Sequence, residues 1–407
     1  MMSCASAAST DSKAGAAQRD GAAEPQACDL ATPAAHGGAA TAEQVIDEYH
    51  AAEALWRTVR DYESLHDEGL QTPWRRALLE DPRHDARCTQ IPGQFEAYAV
   101  SDTPVGSGVF LCPHALNSTQ QRSLLRAVVS QWALPPNRSN LWPNLASESE
   151  LRQGLADFAE GKPDTVVERL RWVTLGHQYD WTAREYLPAS EAPPLPPELC
   201  ALAEAAAAAV PLPPDAAARP FEAAICNIYH AVRRPSDRLG GHRDDVEPDV
   251  ASPLVSVSLG LPCIFLLGGE TRAEKPTPIL LRSGSILVLA GRARQAFHGV
   301  PAVLVPPALQ PRGRGHPKPR RTPAGTNAEV YCPWTSGNSE PEAHVPEAAE
   351  VLAVPGLEDV PREKRDEGLE EAVERLLTKT RVNFSIRSVG RCIAENATNE
   401  LMAGPLQ

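Results

Sequence analysis

Long apolar runs are missing from this sequence. No uninterrupted stretch approaches the ~18 residues that suggest a membrane span. The longest candidate, Leu199 to Leu212, is alanine-rich, carries Glu204, and is stopped by Pro211 and Pro213, so the chain is expected to be soluble. Cysteines at metal-binding spacing are missing too. The nine cysteines (4, 28, 88, 112, 200, 226, 263, 332 and 392) are scattered, with neither CxxC nor CxC among them. Their number is odd and no secretory apolar segment precedes them. A disulfide framework and a cysteine–zinc site therefore lack support, which points to a reducing, intracellular compartment. Cytoplasm and nucleus both fit, and a mitochondrial address stays open. Basic charge is short as well: 39 Lys and Arg stand against 52 Asp and Glu, a net charge of -13. That balance argues against attraction of the whole surface to nucleic acid, and a polyanionic partner must be met by a local basic patch.

Proline (39) and glycine (27) are in excess, without the Gly-X-Y period of collagen, which indicates long linkers or inserted loops. Four regions follow. Residues 1–43 are rich in Ala, Gly, Ser and Pro and too poor in large apolar side chains to offset chain entropy, so a disordered tail is expected. Asp11, Asp20, Glu24 and Asp29 set it apart from acid-poor transit peptides. Residues 44–210 form an N-terminal helical extension. A helical pattern runs from Glu43 to Leu79, with Val45, Tyr49, Leu55, Tyr62 and Leu65 on one face. A second helix is capped at Asn117-Ser118-Thr119, carries Leu124, Leu125, Val128, Val129 and Trp132, and is stopped by Pro135. A third covers roughly Glu198 to Val210. Residues 211–305 and 375–395 hold short β-rich runs: Ala223–Tyr229, Leu254–Leu259, Ile264–Leu267, Ile279–Leu281, Ile286–Leu289 and Val382–Ile386. Gly268-Gly269 and Ser283-Gly284 mark turns between them. Residues 306–374 read as a Pro-rich, polar insertion ending in an amphipathic helix at Arg362–Lys379. The fold class expected is mainly β with flanking helices (α+β), an antiparallel barrel or jelly roll.

Candidate chemistry starts at His242-Arg243-Asp244. Residues two apart in an extended segment point to one side, so imidazole and carboxylate converge. Alone, such a tripeptide is also what a solvated loop shows by chance. His298, in the turn Phe297-His298-Gly299-Val300-Pro301, adds a third ligand type. Two His and one carboxylate can hold non-haem Fe(II) with open positions, and three-ligand zinc is the competing reading. The segment Arg381–Arg387 alternates strictly, Arg381, Asn383, Ser385 and Arg387 on one face and Val382, Phe384 and Ile386 on the other. It is either an edge strand with a wet face or a polar face turned into a barrel mouth, where an Arg takes a carboxylate bidentately. At about 3.3 Å per residue the two arginines stand about 20 Å apart, so they cannot grip one end of the same small acid. Asn227 and Tyr229 form a second same-face polar pair. No Ser-His-Asp or paired-carboxylate arrangement is present.

In the order NxY, HxD, H, RxNxxxR, these residues resemble the AlkB family of Fe(II)- and 2-oxoglutarate-dependent oxygenases, and within it the branch of the first eukaryotic AlkB homologue. LRWVTLGHQYDW at Leu170–Trp181 is similar to that branch's substrate-side segment. SPLVSVSLG, IFLLGG, SGSILVLAG and RQAFHGVP, within Ser252–Pro301, are similar to the middle of its catalytic domain. The likeness covers roughly residues 107–305 and 375–390. It implies a double-stranded β-helix, with His242, Asp244 and His298 as iron ligands and the catalytic centre. Asn227, Tyr229, Arg381, Asn383 and Arg387 would contact or frame 2-oxoglutarate, with Arg381 on its distal carboxylate. His177, Gln178 and Tyr179 would contact substrate. Implied cofactors are Fe(II), 2-oxoglutarate and O2. The implied activity is oxidative demethylation of nucleic-acid bases, methylated adenine in tRNA or DNA, with release of formaldehyde, succinate and CO2. A base must be single-stranded, looped or flipped out to reach such a centre. The alternatives are an oxygenase acting on a protein such as a histone, and a non-catalytic nucleic-acid-binding protein on the same scaffold. Three departures stand out: Ser285 replaces an acidic residue usual in the family, Asp245-Val246-Glu247 leaves the acidic partner of the second arginine ambiguous, and the insertion before Arg381 is long. Arg312, Arg314, Lys318, Arg320 and Arg321 form a basic cluster in that insertion, either solvated loop or phosphate tether. Trp142, Trp172, Tyr179 and Trp181 could stack bases or be core.

Overall fold

The computed structural model describes residues 47–310, 351–357 and 366–390, apart from short breaks at 63, 67–75, 94, 142–146, 189, 191, 214–215 and 217–218. The expected N-terminal tail, the basic cluster and Trp142 lie outside the described residues. Six α-helices are described: α1 (Glu48–Trp56), α2 (Ser118–Ala127), α3 (Glu148–Ala159), α4 (Val166–Arg169), α5 (Pro197–Ala208) and α6 (Glu367–Lys379). The strands are β1 (Cys88–Gln90), β2 (Tyr98–Val100), β3 (Val109–Cys112), β4 (Arg138–Ser139), β5 (Trp172–Gly176), β6 (Tyr179–Asp180), β7 (Glu185–Tyr186), β8 (Ala223–Tyr229), β9 (Leu239–His242), β10 (Leu254–Gly260), β11 (Cys263–Leu267), β12 (Thr277–Leu281), β13 (Ile286–Leu289), β14 (His298–Val303) and β15 (Arg381–Arg387).

Two antiparallel sheets carry the site. The larger runs β1-β2-β3-β13-β10-β15-β8-β5-β4 and the smaller β12-β11-β14-β9. β13 shows why its run is continuously apolar. Ile286 and Val288 enter the helix-covered core, whereas Leu287 and Leu289 join Leu111, Phe265, Leu267, Ile279 and Val300 between the sheets. A strand buried on both faces loses the polar alternation of a half-exposed one. On the outer side of the large sheet lie α2, α3, α5 and α6, with α6 against both α2 and α3. Pairing of β3 with β13, and of β5 with β8, carries the large sheet across residue 210. This is the jelly roll expected from the short β-rich runs. No helix among the described residues is long and apolar enough to cross a membrane.

Local chemistry sets the helix ends. Asn117 accepts from the Gln120 N–H at 2.9 Å, while the Gln120 side chain accepts from the Asn117 N–H at 3.0 Å. This reciprocal cap starts α2 where the sequence places it, and a π-helical turn at Val128–Trp132 prolongs it. Of the helical pattern read over Glu43–Leu79, the described residues hold α1 and a 3-10 turn at Ser64–His66. Asp61 and Ser64 turn the chain by capping each other, the Ser64 N–H donating to Asp61 Oδ1 at 2.6 Å. Leu79 then bonds through its backbone to Pro278 and Leu280, which makes it a bridge partner of Ile279. One part of the stretch read as an insertion, 351–357, packs on the core. Leu352, Val354 and Leu357 are buried in the helix-side core, and the Leu352 carbonyl accepts from Gln120 Nε2 at 2.6 Å.

Candidate active site

Strand register brings the histidines together. His242 closes β9, His298 opens β14, and the two are direct partners in the ladder. Their ring centroids stand 4.4 Å apart. Asp244, just beyond β9, places Oδ1 3.6 Å from His242 Nε2 and Oδ2 3.9 Å from His298 Nε2. One donor atom from each of the three lies within 4.8 Å of the others.

The hydrogen bonds behind these rings suit a metal. His242 Nδ1 is 3.0 Å from the Gly240 carbonyl and His298 Nδ1 is 3.0 Å from the Ala296 carbonyl. A carbonyl only accepts, so both Nδ1 atoms carry the proton and each Nε2 lone pair faces the centre. Burial, reinforced by His242, pushes the pKa of His298 down to about 4, which keeps it neutral and available. Burial alone would raise Asp244, but Arg387 outweighs it and, with the two histidines, holds the carboxyl well below the usual range. Arg387 Nη1 stands 3.0 Å from Asp244 Oδ2, an ion pair without hydrogen-bond alignment, and that buried oxygen has no hydrogen-bond donor. Two imidazoles with Nε2 turned inward and an ionised carboxylate whose buried Oδ2 lacks a donor fit a divalent transition metal such as Fe(II).

Beside this centre a polar file crosses three central strands. Arg381 pairs with Tyr229 across β15 and β8, and Asn383 with Asn227. On the other side Asn383 meets Ser258, and Ser385 meets Ser256. The reading of β15 as an edge strand with a wet face is therefore overturned, since it lies between β10 and β8 and Arg381 is 0% exposed. Arg381 Nη2 donates to Ser258 Oγ at 3.1 Å, while its Nε and Nη1 have no partner. Asn383 is occupied: its Nδ2 donates to Ser256 Oγ and the Val257 carbonyl, and its Oδ1 accepts from Ser385. It frames the site and stiffens β15. Burial pushes the Tyr229 hydroxyl pKa up, against Arg381, which lowers it. The hydroxyl therefore stays protonated at neutral pH.

The expected substrate residues divide. Gln178 is 2% exposed and wholly engaged. Its Nε2 donates to the carbonyls of Thr174 and Gly176, and its Oε1 accepts from Thr174 Oγ1 and the Arg138 N–H. These bonds make it a strut for the end of β5. His177 is buried with Nδ1 unpartnered. Tyr179 packs between Trp181 and Tyr186, and Trp181 is among the few large apolar residues left exposed.

Several residues of the site escaped sequence reasoning. Glu247 settles the ambiguity after Asp244, because its Oε1 accepts from Arg387 Nη1 at 2.8 Å and from the Tyr186 hydroxyl at 2.8 Å. Arg294, 1% exposed, donates to the Asp244 carbonyl at 3.0 Å and pairs with Glu247 at 3.3 Å. Ser256 and Ser258 had a signal: polar residues two apart in an otherwise apolar run mark one face of a strand. Arg294 had none, since its value depends on a carbonyl fifty residues earlier.

The family described as the 2OG-Fe(II) oxygenase superfamily matches residues 108–326. Among known proteins the chain is similar to the "tRNA demethylase abh1" of Schizosaccharomyces pombe, 37% identical over 261 residues, covering 56% of this chain and 84% of that protein. It is 33% identical over 249 residues to the "DNA N(6)-methyladenine demethylase ALKBH1A" of Arabidopsis thaliana, covering 52% and 70% of the two chains. The human "Nucleic acid dioxygenase ALKBH1" is 33% identical over 236 residues, 56% of this chain and 57% of that one. With a jelly roll, a His-Asp-His cluster and these relatives, the chain belongs to the 2OG-Fe(II) oxygenase superfamily and, within it, to the AlkB family, whose chemistry uses Fe(II), 2-oxoglutarate and O2.

Proposed function

We propose that this chain oxidatively demethylates nucleic-acid bases, with methylated adenine in tRNA or DNA as the preferred target. The observation that carries the reading is Arg381, a guanidinium with no exposure and two unpaired nitrogens, in the same fold interior as the His-Asp-His cluster. Burying a cation without an anion costs several kcal/mol. Such a group is retained where a ligand supplies the missing charge, and the distal carboxylate of 2-oxoglutarate fits. His242, Asp244 and His298 would hold the Fe(II). The chemistry supplied there is oxidation of an N-methyl group by O2, coupled to decarboxylation of 2-oxoglutarate to succinate and CO2, with formaldehyde leaving the base.

The protein's own residues bind and orient. Arg381 neutralises the distal carboxylate, and the Tyr229 hydroxyl, kept protonated by burial, donates beside it. Asn227 and Asn383 border the path from that carboxylate toward the metal. Arg387, fixed by Glu247, keeps Asp244 ionised. Apolar walls from both sheets exclude water, so each charge acts in a low dielectric. His177, Tyr179 and the exposed Trp181 offer an apolar and aromatic approach for an unpaired base. The relatives named for tRNA and for DNA favour a nucleic-acid substrate. The test is a mass-spectrometric survey of modified nucleosides in RNA and DNA treated with the iron-loaded protein. Loss of a methylated adenine together with formaldehyde is expected. Unchanged nucleosides with a methylated protein consumed instead would overturn the reading.

A further inference from the structure

We propose that Tyr49 and Glu53 on helix α1 are positioning residues for the metal site, a clamp that sets the spacing of His242 and His298 from behind. The inference rests on the reading of His242, Asp244 and His298 as metal ligands. Helix α1 lies well ahead of residue 108, where the family match begins, so the clamp lies outside the matched region.

Strand β9 is the edge of the smaller sheet. Its outward N–H groups have no neighbouring strand to receive them, and an unpaired edge is neither fixed nor stable by itself. Glu53 supplies the missing acceptor. Its carboxylate is 3% exposed and its Oε1 takes the N–H of Gly241, the residue before His242, at 2.8 Å. Across the ladder, the pairing of β14 with β9 shifts register between His298 and Val300. The ladder therefore sets His242 opposite His298 but is irregular at the next step, where β9 needs support from outside the sheet.

One helical turn away on the same face, Tyr49 does the complementary work. Its fully buried ring lies against the bare Cα of Gly241 and of Gly268, where an added Cβ would collide with it. Gly268 in turn donates its N–H to the Phe297 carbonyl at 2.7 Å, and the Phe297 ring stands 6.0 Å from Tyr49. Phe297 precedes His298. The Tyr49 hydroxyl donates to the Leu266 carbonyl at 3.2 Å, tying the ring to β11. Arg272 locks the assembly from outside, pairing with Asp47 at 2.8 Å and covering both the Tyr49 and Phe297 rings. Glu53 and Tyr49 thus hold the backbone just before His242, and Tyr49 reaches the His298 side through Gly268, Leu266 and the Phe297 ring.

The experiment titrates Co(II) into the full chain and follows its visible absorption band and its affinity, with thermal unfolding measured alongside. Glu53→Ala should weaken Co(II) binding by about ten- to hundredfold, the range for groups that orient metal ligands, and should change the band. Glu53→Gln, whose carbonyl still accepts from Gly241, should restore both. Leu65→Ala, which loosens the same outer cluster without touching Gly241, should lower the melting temperature and leave the band alone. Asp244→Ala serves as the reference and should abolish the band. If Asp244→Ala loses the band and Glu53→Ala keeps wild-type affinity and spectrum, the clamp is refuted and the metal site stands. If Asp244→Ala changes nothing, the ligand assignment itself is wrong, and the clamp falls with it.

Discussion

Arg381 and Gln178 are both buried polar residues, and their bonding separates their roles. Gln178 uses its amide on four internal partners, whereas Arg381 leaves two guanidinium nitrogens without one. Arg381→Ala should therefore remove a charge-assisted contact worth about 1.5–3 kcal/mol. That is about a ten- to hundredfold loss of 2-oxoglutarate affinity, readable by isothermal titration. Unchanged affinity would mean that the cosubstrate binds elsewhere. Gln178→Leu should behave oppositely. It strands buried carbonyls at the end of β5, a loss of about 1–3 kcal/mol in stability, with 2-oxoglutarate affinity preserved. A denaturant titration beside the binding assay checks both halves, and a selective loss of substrate turnover at full stability would restore Gln178 as a contact residue.

Elements were legible where one short-range rule governed them. The strands β8 and β13 match the β-rich runs at Ala223–Tyr229 and Ile286–Leu289, because their residue types and bounding turns are local information. Asn117 was equally readable. Replacing it with Ala should cost about 1 kcal/mol and lower the melting point without altering metal affinity, and an unchanged melting point would show the cap to be dispensable. Past Arg57 the one-face apolar pattern does not show that helix α1 ends, since Asp61 and Ser64 turn the chain there and Leu79 bridges Ile279. The polar face of β15 was visible in the alternation of Arg381, Asn383 and Arg387, but not which way it turned. That depends on β10 and β8 flanking it, and β10 lies more than a hundred residues earlier in the chain. The triad was legible as ligand types. The tautomers that expose each Nε2 depend on carbonyl positions and were not.

At the scale of the whole molecule, a net charge of -13 stands against a substrate covered in phosphates. The proposal reconciles them through Arg312, Arg314, Lys318, Arg320 and Arg321 as a local tether. Changing all five to Ser should weaken binding alike across sequences. It should also flatten the slope of log affinity against log salt by about 0.7 per lost contact on a single strand. A salt titration with a tRNA and a DNA hairpin decides it, and an identical slope would make the cluster solvated linker. The central claim concerns the coupling of the metal site to base oxidation. The most direct measurement is succinate and formaldehyde release from a methylated oligonucleotide by the iron-loaded wild type and by Asp244→Ala, each checked for an intact fold. The account predicts equal yields of the two products from the wild type and neither from the variant. Release by Asp244→Ala at the wild-type rate would contradict it.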